Sequence, residues 1–368
     1  MRLHRRSFGS LLAIGIFAGA ALVGCGRPEE TPTPSTSTPP PPKTETTGAA
    51  PAARTPFKPP TGEFKVALVM SGPTSDGGWN AGALKAFQEV KAELKLSDAD
   101  ASYVDKQTAA GDQEKSLRAF ATKKYALVFG HGSEYEAFAL KMEPDFPETL
   151  FVISSGRAVG KNTIPIVFQL EDGAYLEGMV AAAMSKTGKI ASVGAEKSVP
   201  LNSIFKAFEA GAKAVKPDIT VLDPTYTGSW DDVTKAKQQT LALLDQGADV
   251  IMQDVDSAAQ GVFSAVQERA KSGKEVYALG TNSDQNKAAP DVVLASAPIY
   301  SDKAFVAIAK AAKAGTLVPS DAPYGMKEGV VDFVLNPKLQ SKLPADTLAK
   351  LKETQAKITS GEFHVPKG

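Results

Sequence analysis

The chain has 368 residues, 43% of them hydrophobic, with 41 basic and 41 acidic side chains and no formal net charge. That length supports one large or two medium domains with real cores, and the charge balance argues against nucleic acid, which requires a basic face. A single cysteine, Cys25, excludes an internal disulfide or a thiolate metal cluster, and three scattered histidines, His4, His131 and His364, speak against a zinc site or a histidine-based triad.

The N-terminus sets the compartment. "MRLHRR" is a positive segment, and "LLAIGIFAGAALVG" is an apolar stretch too short and too glycine-rich for a comfortable membrane span. It ends in Leu22-Val23-Gly24-Cys25, which resembles the lipobox of bacterial lipoproteins. Residues 1–24 are therefore expected to be a signal peptide, with Cys25 lipidated and the protein held at an extracytoplasmic membrane face. An ordinary signal peptide with an incidental cysteine is the alternative. Residues 25–62 are crowded with Pro and Thr and lack apolar periodicity, so they are expected to be a disordered tether. Extended at about 3.1 Å per residue, it would span on the order of 100 Å.

From Phe64 onward, short β-rich runs alternate with longer amphipathic ones. "KVALVM", "ASYVD", "YALVFG" and "TLFVIS" form a first series, each followed by a helical segment or a turn. "KIASVG", "ITVLD", "DVIMQ", "EVYALG" and "VVLASAP" form a second, again separated by helices. Continuous apolar strands joined by helices imply parallel sheets covered on both faces. Two such series imply an α/β protein of two doubly wound lobes. Lobe 1 is expected at 63–170 and 298–368, including the C-terminal tail, and lobe 2 at 171–297.

Ligands of open parallel sheets sit beyond the carboxyl ends of the strands, and the loops there collect polar and aromatic residues. "SGPTSDGGWN" (71–80) supplies Asp76, Trp79 and Asn80 at the start of a helix. Asp76 reads either as a helix cap or as a ligand contact, and Trp79 either as packing on its own lobe or as a stacking platform. "GHGSEYEAF" offers Ser133 and Tyr135, with His131 open between surface and ligand roles. "GSWDD" places Trp230 on a second-lobe loop, where it could oppose Trp79 across a planar ring. "MQDVDS" gives Asp254 and Asp256, the latter equally a helix cap, and "GTNSDQN" gives Asn282 and Asp284. Asp and Asn side chains can read the edge of a nitrogen heterocycle. No nucleophile–base pair assembles from these loops, so catalysis is not expected, nor a metal or cofactor.

These segments resemble the basic membrane protein (BMP) family of lipoproteins, substrate-binding components of nucleoside-type ABC importers. "KVALVMSGPTSDGGWNAGALKAFQEV", "FQLEDGAYLEGMVAAAMSKTGKIASVG", "YTGSWDDVTKAKQQTLALLDQGADVIMQDVDS", "ALGTNSDQ" and "KITSGEFHVP" carry the likeness, from Phe64 to about Pro366. The resemblance implies a type I periplasmic-binding fold with three crossovers. It also implies stacking by Trp79, base contacts by Asn80 and Asp284, and an ABC permease as partner. Phe205 stands beside the position, Ile204, of a second stacking aromatic. Ser154 replaces a usual Asp, and Ile299 falls where a ribose-binding Lys is usual, which shifts the expected ligand towards a purine base or another flat heterocycle. A monomeric, lipid-anchored importer component is the reading. A sensory receptor of the same fold and, third, a nucleoside-processing enzyme are the alternatives.

Overall fold

The protein is described by a computed structural model that covers residues 54–366. The expected signal peptide, Cys25 and most of the tether lie outside the described residues. The tether's expected end at residue 62 needs correcting. Phe57 is buried in the first lobe's core and its N–H donates to the Leu317 carbonyl at 2.8 Å, so the ordered chain begins earlier. A lone phenylalanine in a Pro-rich segment gives no periodic signal, yet it finds an apolar slot.

Five strands, β1 (Val66–Met70), β2 (Ala101–Val104), β3 (Leu127–His131), β4 (Leu150–Ser154) and β5 (Thr163–Phe168), alternate with α1 (Trp79–Glu93), α2 (Ala110–Thr122) and α3 (Glu136–Met142). β1, β3 and β4 are buried at every position, as strands covered on both faces must be. After β5 the chain enters the second lobe through α4 (Glu171–Met184), β6 (Lys189–Gly194), α5 (Val199–Val215), β7 (Thr220–Val221) and β8 (Thr225–Tyr226). It continues as α6 (Val233–Asp245), β9 (Val250–Asp254), α7 (Ala259–Lys271), β10 (Tyr277–Asn282) and β11 (Val293–Pro298). It then returns to the first lobe as α8 (Ser301–Lys313) and β12 (Pro323–Tyr324), and ends in β13 (Val334–Leu335) and α9 (Ala345–Ser360). The two sheets run in the orders β12-β5-β4-β3-β1-β2 and β13-β11-β10-β9-β6-β7, with β8 also on β6. All pairings are parallel except that of β11 with β13.

The chain thus passes between lobes three times, after β5, after β11 and after β12. The second and third passages are hydrogen-bonded to each other: Tyr300 N–H donates to Val330 O at 2.7 Å and Asp332 N–H to Pro298 O at 3.1 Å. This narrow ribbon is the hinge, and the carboxyl ends of both sheets face one another across it.

The expectation that everything after residue 298 belongs to lobe 1 is corrected. β13 joins the second sheet, and Leu339, Leu343, Leu351, Ile358 and Val365 belong to the second core with α4 and α5. The reason lies in α4, where every residue but Ala183 is buried. A helix buried on every side must be covered all round, and α9 supplies the cover that α5 and β11 leave open. Contact between α4 and α5 is backbone-close. A Cβ on Gly211 would stand 1.9 Å from Tyr175 O, and one on Gly178 2.0 Å from Phe208 O.

Within this packing sits Glu177, fully buried, with neither carboxyl oxygen hydrogen-bonded. Burial, and then the nearby charge of Asp254, raise its pKa well above the ordinary 4.5. The native state therefore holds a proton that the unfolded chain releases once the pH exceeds the ordinary value. Stability is fully present below that value and is lost as pH rises through the folded pKa. Two outcomes are expected. Gly211→Ala lowers stability by about 3 kcal/mol in urea denaturation through overpacking, whereas Gly82→Ala, with nothing within 4 Å, does not. Glu177→Gln raises the melting temperature at pH 8, and the gain shrinks as thermal melts are taken towards pH 4.

Candidate functional site

β1 and β3 are neighbours, with Met70 opposite His131, so the loop after β1 arches over the end of β3. Asp76 shapes that loop. Its carboxylate accepts from the N–H groups of Gly78 (3.0 Å), Asn80 (2.7 Å) and Ala81 (2.9 Å) and from Asn80 Nδ2 (2.8 Å). A carboxylate has about four acceptor positions, and all are used at the positive end of α1. Gly78 is the formal cap residue, with Asp76 acting from two positions upstream. Asn80 is drawn into the same clamp, its Oδ1 accepting from Gly72 N–H at 3.3 Å. In this state both residues hold the loop rather than face the cleft.

Their effect is to hold Trp79 at the first position of α1. The half-buried indole stacks on the imidazole of His131, with ring centroids 4.0 Å apart and 24° between planes. Phe168 meets it edge-on at 5.7 Å. His131 is fully buried, which settles its role as a platform beneath Trp79. Its Nε2 lies 3.1 Å from Trp79 O, a pure acceptor, so Nε2 carries the proton and Nδ1 accepts from the Ser154 hydroxyl at 2.9 Å. Burial holds its pKa down to about 3, so the ring is neutral.

On the second lobe, the ends of β9 and β10 bring together Asp254, Asp256 and Asn282. Asn282 Nδ2 donates to Asp254 Oδ1 at 3.2 Å and to Asp256 Oδ1 at 3.1 Å. Burial pushes the Asp254 carboxyl up to about 6, against hydrogen bonds that lower it. Burial, then the charges of Asp254 and Asp76, raise Asp256 well above the carboxylate range. Asp256 (φ 46°) and Asn282 (φ 65°) are left-handed, as is Ser155 (φ 57°) after β4. Such conformations cost on the order of 1–3 kcal/mol each and cluster at functional sites.

The lobes touch here. Ser283 Oγ donates to Gly77 O at 2.9 Å, and a Cβ on Gly78 would lie 3.7 Å from Asn282 Cβ and 3.9 Å from Asp256 Oδ1. Beside this contact are two recesses. One is bordered by Leu170, Ala174, Ile204, Met252, Asp254 and Asn282. The other is bordered by Ser155, Arg157, Phe168, Leu170, Glu171 and Ile204.

The remaining expected contacts are distributed differently. Tyr135 is fully buried in the first lobe's core, where its hydroxyl accepts from Ser71 Oγ at 3.2 Å. It is out of a ligand's reach because the one-turn helix it ends rolls it under β3. Ser133, at the start of that turn, is exposed. Phe205 turns inward against Gly194 and Tyr226 (6.3 Å), and its neighbour Ile204 faces both recesses. Neighbouring positions on a helix point about 100° apart, so only one of them can line the cleft. Trp230 packs on the second lobe's own cores and makes no ring contact with Trp79. Its carbonyl accepts from Ala258 N–H at 3.1 Å, tying its loop to the Asp256 turn. Asp284 is exposed, its Oδ1 accepting from Asn286 N–H at 3.1 Å. Sequence reading did not place Phe168 or Leu170 in the cleft lining, and named Ile204 only as the position where the resemblance implies a stacking aromatic. The signal for the first two was their place in the first crossover, "VFQLED". No group of three or more His, Cys, Asp or Glu able to hold a metal occurs among the described residues.

Comparison with known proteins agrees with this architecture. A curated relative, a purine-binding protein of Brucella abortus, is 30% identical over 315 residues, which cover 82% of this chain and 83% of that protein. The transcriptional activator protein Med of Bacillus subtilis is 32% identical over 306 residues, 83% of this chain and 92% of its own length. The crystal structure of an ABC-transporter solute-binding protein from Aeropyrum pernix superposes with a TM-score of 0.73 at 21% identity, covering 83% of this chain and 94% of that one. That likeness shows the type I periplasmic-binding fold. The family model described as "ABC transporter substrate-binding protein PnrA-like" matches residues 64–368, and the chain belongs to this family of substrate-binding proteins, which includes the basic membrane proteins.

Proposed function

We propose that the protein is the lipid-anchored capture component of an ABC importer and takes a purine base, nucleoside or similar planar heterocycle between its lobes. The observation that carries the reading is the meeting of an aromatic shelf with an acidic edge. Trp79 on its His131 support, flanked by Phe168, stands on one lobe, and Asp254 and Asp256, bridged by Asn282, stand on the other. A flat ring is attracted by the shelf through stacking, and its N–H groups find acceptors in the carboxyls. Ile299, buried in the hinge, provides no cation for a ribose, which favours the base. The Brucella relative bears a purine-binding name. Closure about the hinge would enclose the ligand and present the closed shape to the permease, with Cys25 supplying the membrane anchor and the Pro-rich segment the reach.

The Bacillus relative named as a transcriptional activator favours one second reading, in which the same closure reports occupancy to a regulatory partner. Loss of purine uptake on deletion of the gene, with transcription unchanged, would decide for import. For the ligand itself, mass spectrometry of denatured native protein is expected to release a purine. In calorimetry, Trp79→Ala should lose about 1–3 kcal/mol of stacking, roughly a 5-fold to 150-fold weaker Kd. Unchanged binding would end the stacking assignment.

A further inference from the structure

At the lobe contact the cleft collects buried acid, while its one bordering base, Arg157, lies in the second recess. Asp76 comes from the first lobe and Asp254 and Asp256 from the second, and Asn282 offers a single amide nitrogen to both second-lobe carboxyls. Asp76 has all its acceptor positions filled by N–H donors, and its charge acts on Asp256. Glu177, buried without a hydrogen bond, lies close enough to Asp254 to feel its charge and adds a fourth acid.

Among the described residues no lysine, arginine or histidine forms an ion pair with these four carboxyls. Beside the group, α4 brings only Glu171, held by Ser203, Asp172, which accepts from Met326 N–H, and Glu177. The strands flanking β9 bring Lys189 and Tyr277 at their opposite ends, since Gly194, not Lys189, pairs with Asp254. α6 and α7 carry Lys235, Lys237, Asp245, Glu268, Arg269 and Lys271. Of these, Lys237 pairs with Glu268 and Arg269 with Asp245 at the surface. Around α4, α5 carries Lys206, Glu209 and Lys213 and α9 carries Asp346, Lys350, Lys352, Glu353 and Lys357, where Lys213–Glu209 and Lys357–Glu353 pair in the same way. His131, facing from the first lobe, has both nitrogens engaged and is neutral.

We infer that the lobes close through an acid-assisted latch: bringing Asp76 against Asp254 and Asp256 requires either protons on the second-lobe pair or a ligand that supplies N–H donors and carries no negative charge. The inference rests on the cleft being the ligand site proposed above and narrows its ligands to neutral or cationic, N–H-rich heterocycles. Opening the cleft would hydrate Asp254 and Asp256 and favour their charged forms. Closure strips that water, and like charges approach through a poorly screening medium. The closed form therefore binds more protons than the open one, so falling pH favours closure. With Asp254 raised from 3.8 to about 6, the effect should develop as pH drops below about 6.

Small-angle X-ray scattering of the ligand-free protein, paired with tryptophan fluorescence, tests this without any ligand. The radius of gyration is expected to fall between pH 8 and pH 5, and Asp256→Asn and Asp254→Asn are each expected to remove more than half of that change. A parent whose dimensions ignore pH, or variants that keep the full change, would overturn the latch. Should circular dichroism show one variant unfolded, the other carries the test. Calorimetry with adenine is read separately. Adenine binding without acid compaction sinks the latch and leaves the purine reading, whereas acid compaction without adenine binding supports the latch and sinks the purine reading.

Discussion

The structure depends on the three hydrogen-bonded passages between its sheets. Because Tyr300 and Asp332 bond across to Val330 and Pro298, the two lobes share one narrow ribbon, and the carboxyl ends of both sheets must face the same gap. Every loop at those ends is then a wall of the cleft. Parallel sheets leave their functional loops there in any case. The hinge turns two separate rims into one site.

What each wall offers follows from how its loop satisfies its own backbone. On the first lobe, Asp76 and Asn80 are consumed in closing the turn, and the outcome is a fixed indole resting on a neutral imidazole. The serine at position 154 matters here. As a hydroxyl it can donate to His131 Nδ1 and leave the ring uncharged, whereas a carboxylate there would favour the imidazolium. On the second lobe the backbone strain at Asp256 and Asn282 is what aims two carboxyls and an amide at one point. The aromatic shelf and the acidic edge therefore reside on different lobes and meet at the contact of Ser283 with Gly77.

Much of this was legible in the chain. Continuous apolar strands spaced by helices announced two doubly wound lobes, and the loops rich in Trp, Asp and Asn marked the cleft ends of the strands. Trp79, Asp254, Asp256 and Asn282 are placed around the lobe contact as their loops suggested. Less legible were the assignments that need a third dimension. Tyr135 looked like a cleft residue from its loop but is carried under β3 by a single turn of helix, and Phe205 turns into the core while its neighbour Ile204 faces the recesses.

The sequence by itself determined the elements, the lobes and the positions of the loops, because strand and helix periodicity and turn chemistry are local properties. Tertiary structure alone decided the ownership of the C-terminal tail, since α4 needed cover from a segment far along the chain. It also decided the neutral state of His131, and the gathering of Asp76, Glu177, Asp254 and Asp256 with no cation among them. Burial and charge proximity arise only when distant segments are packed together.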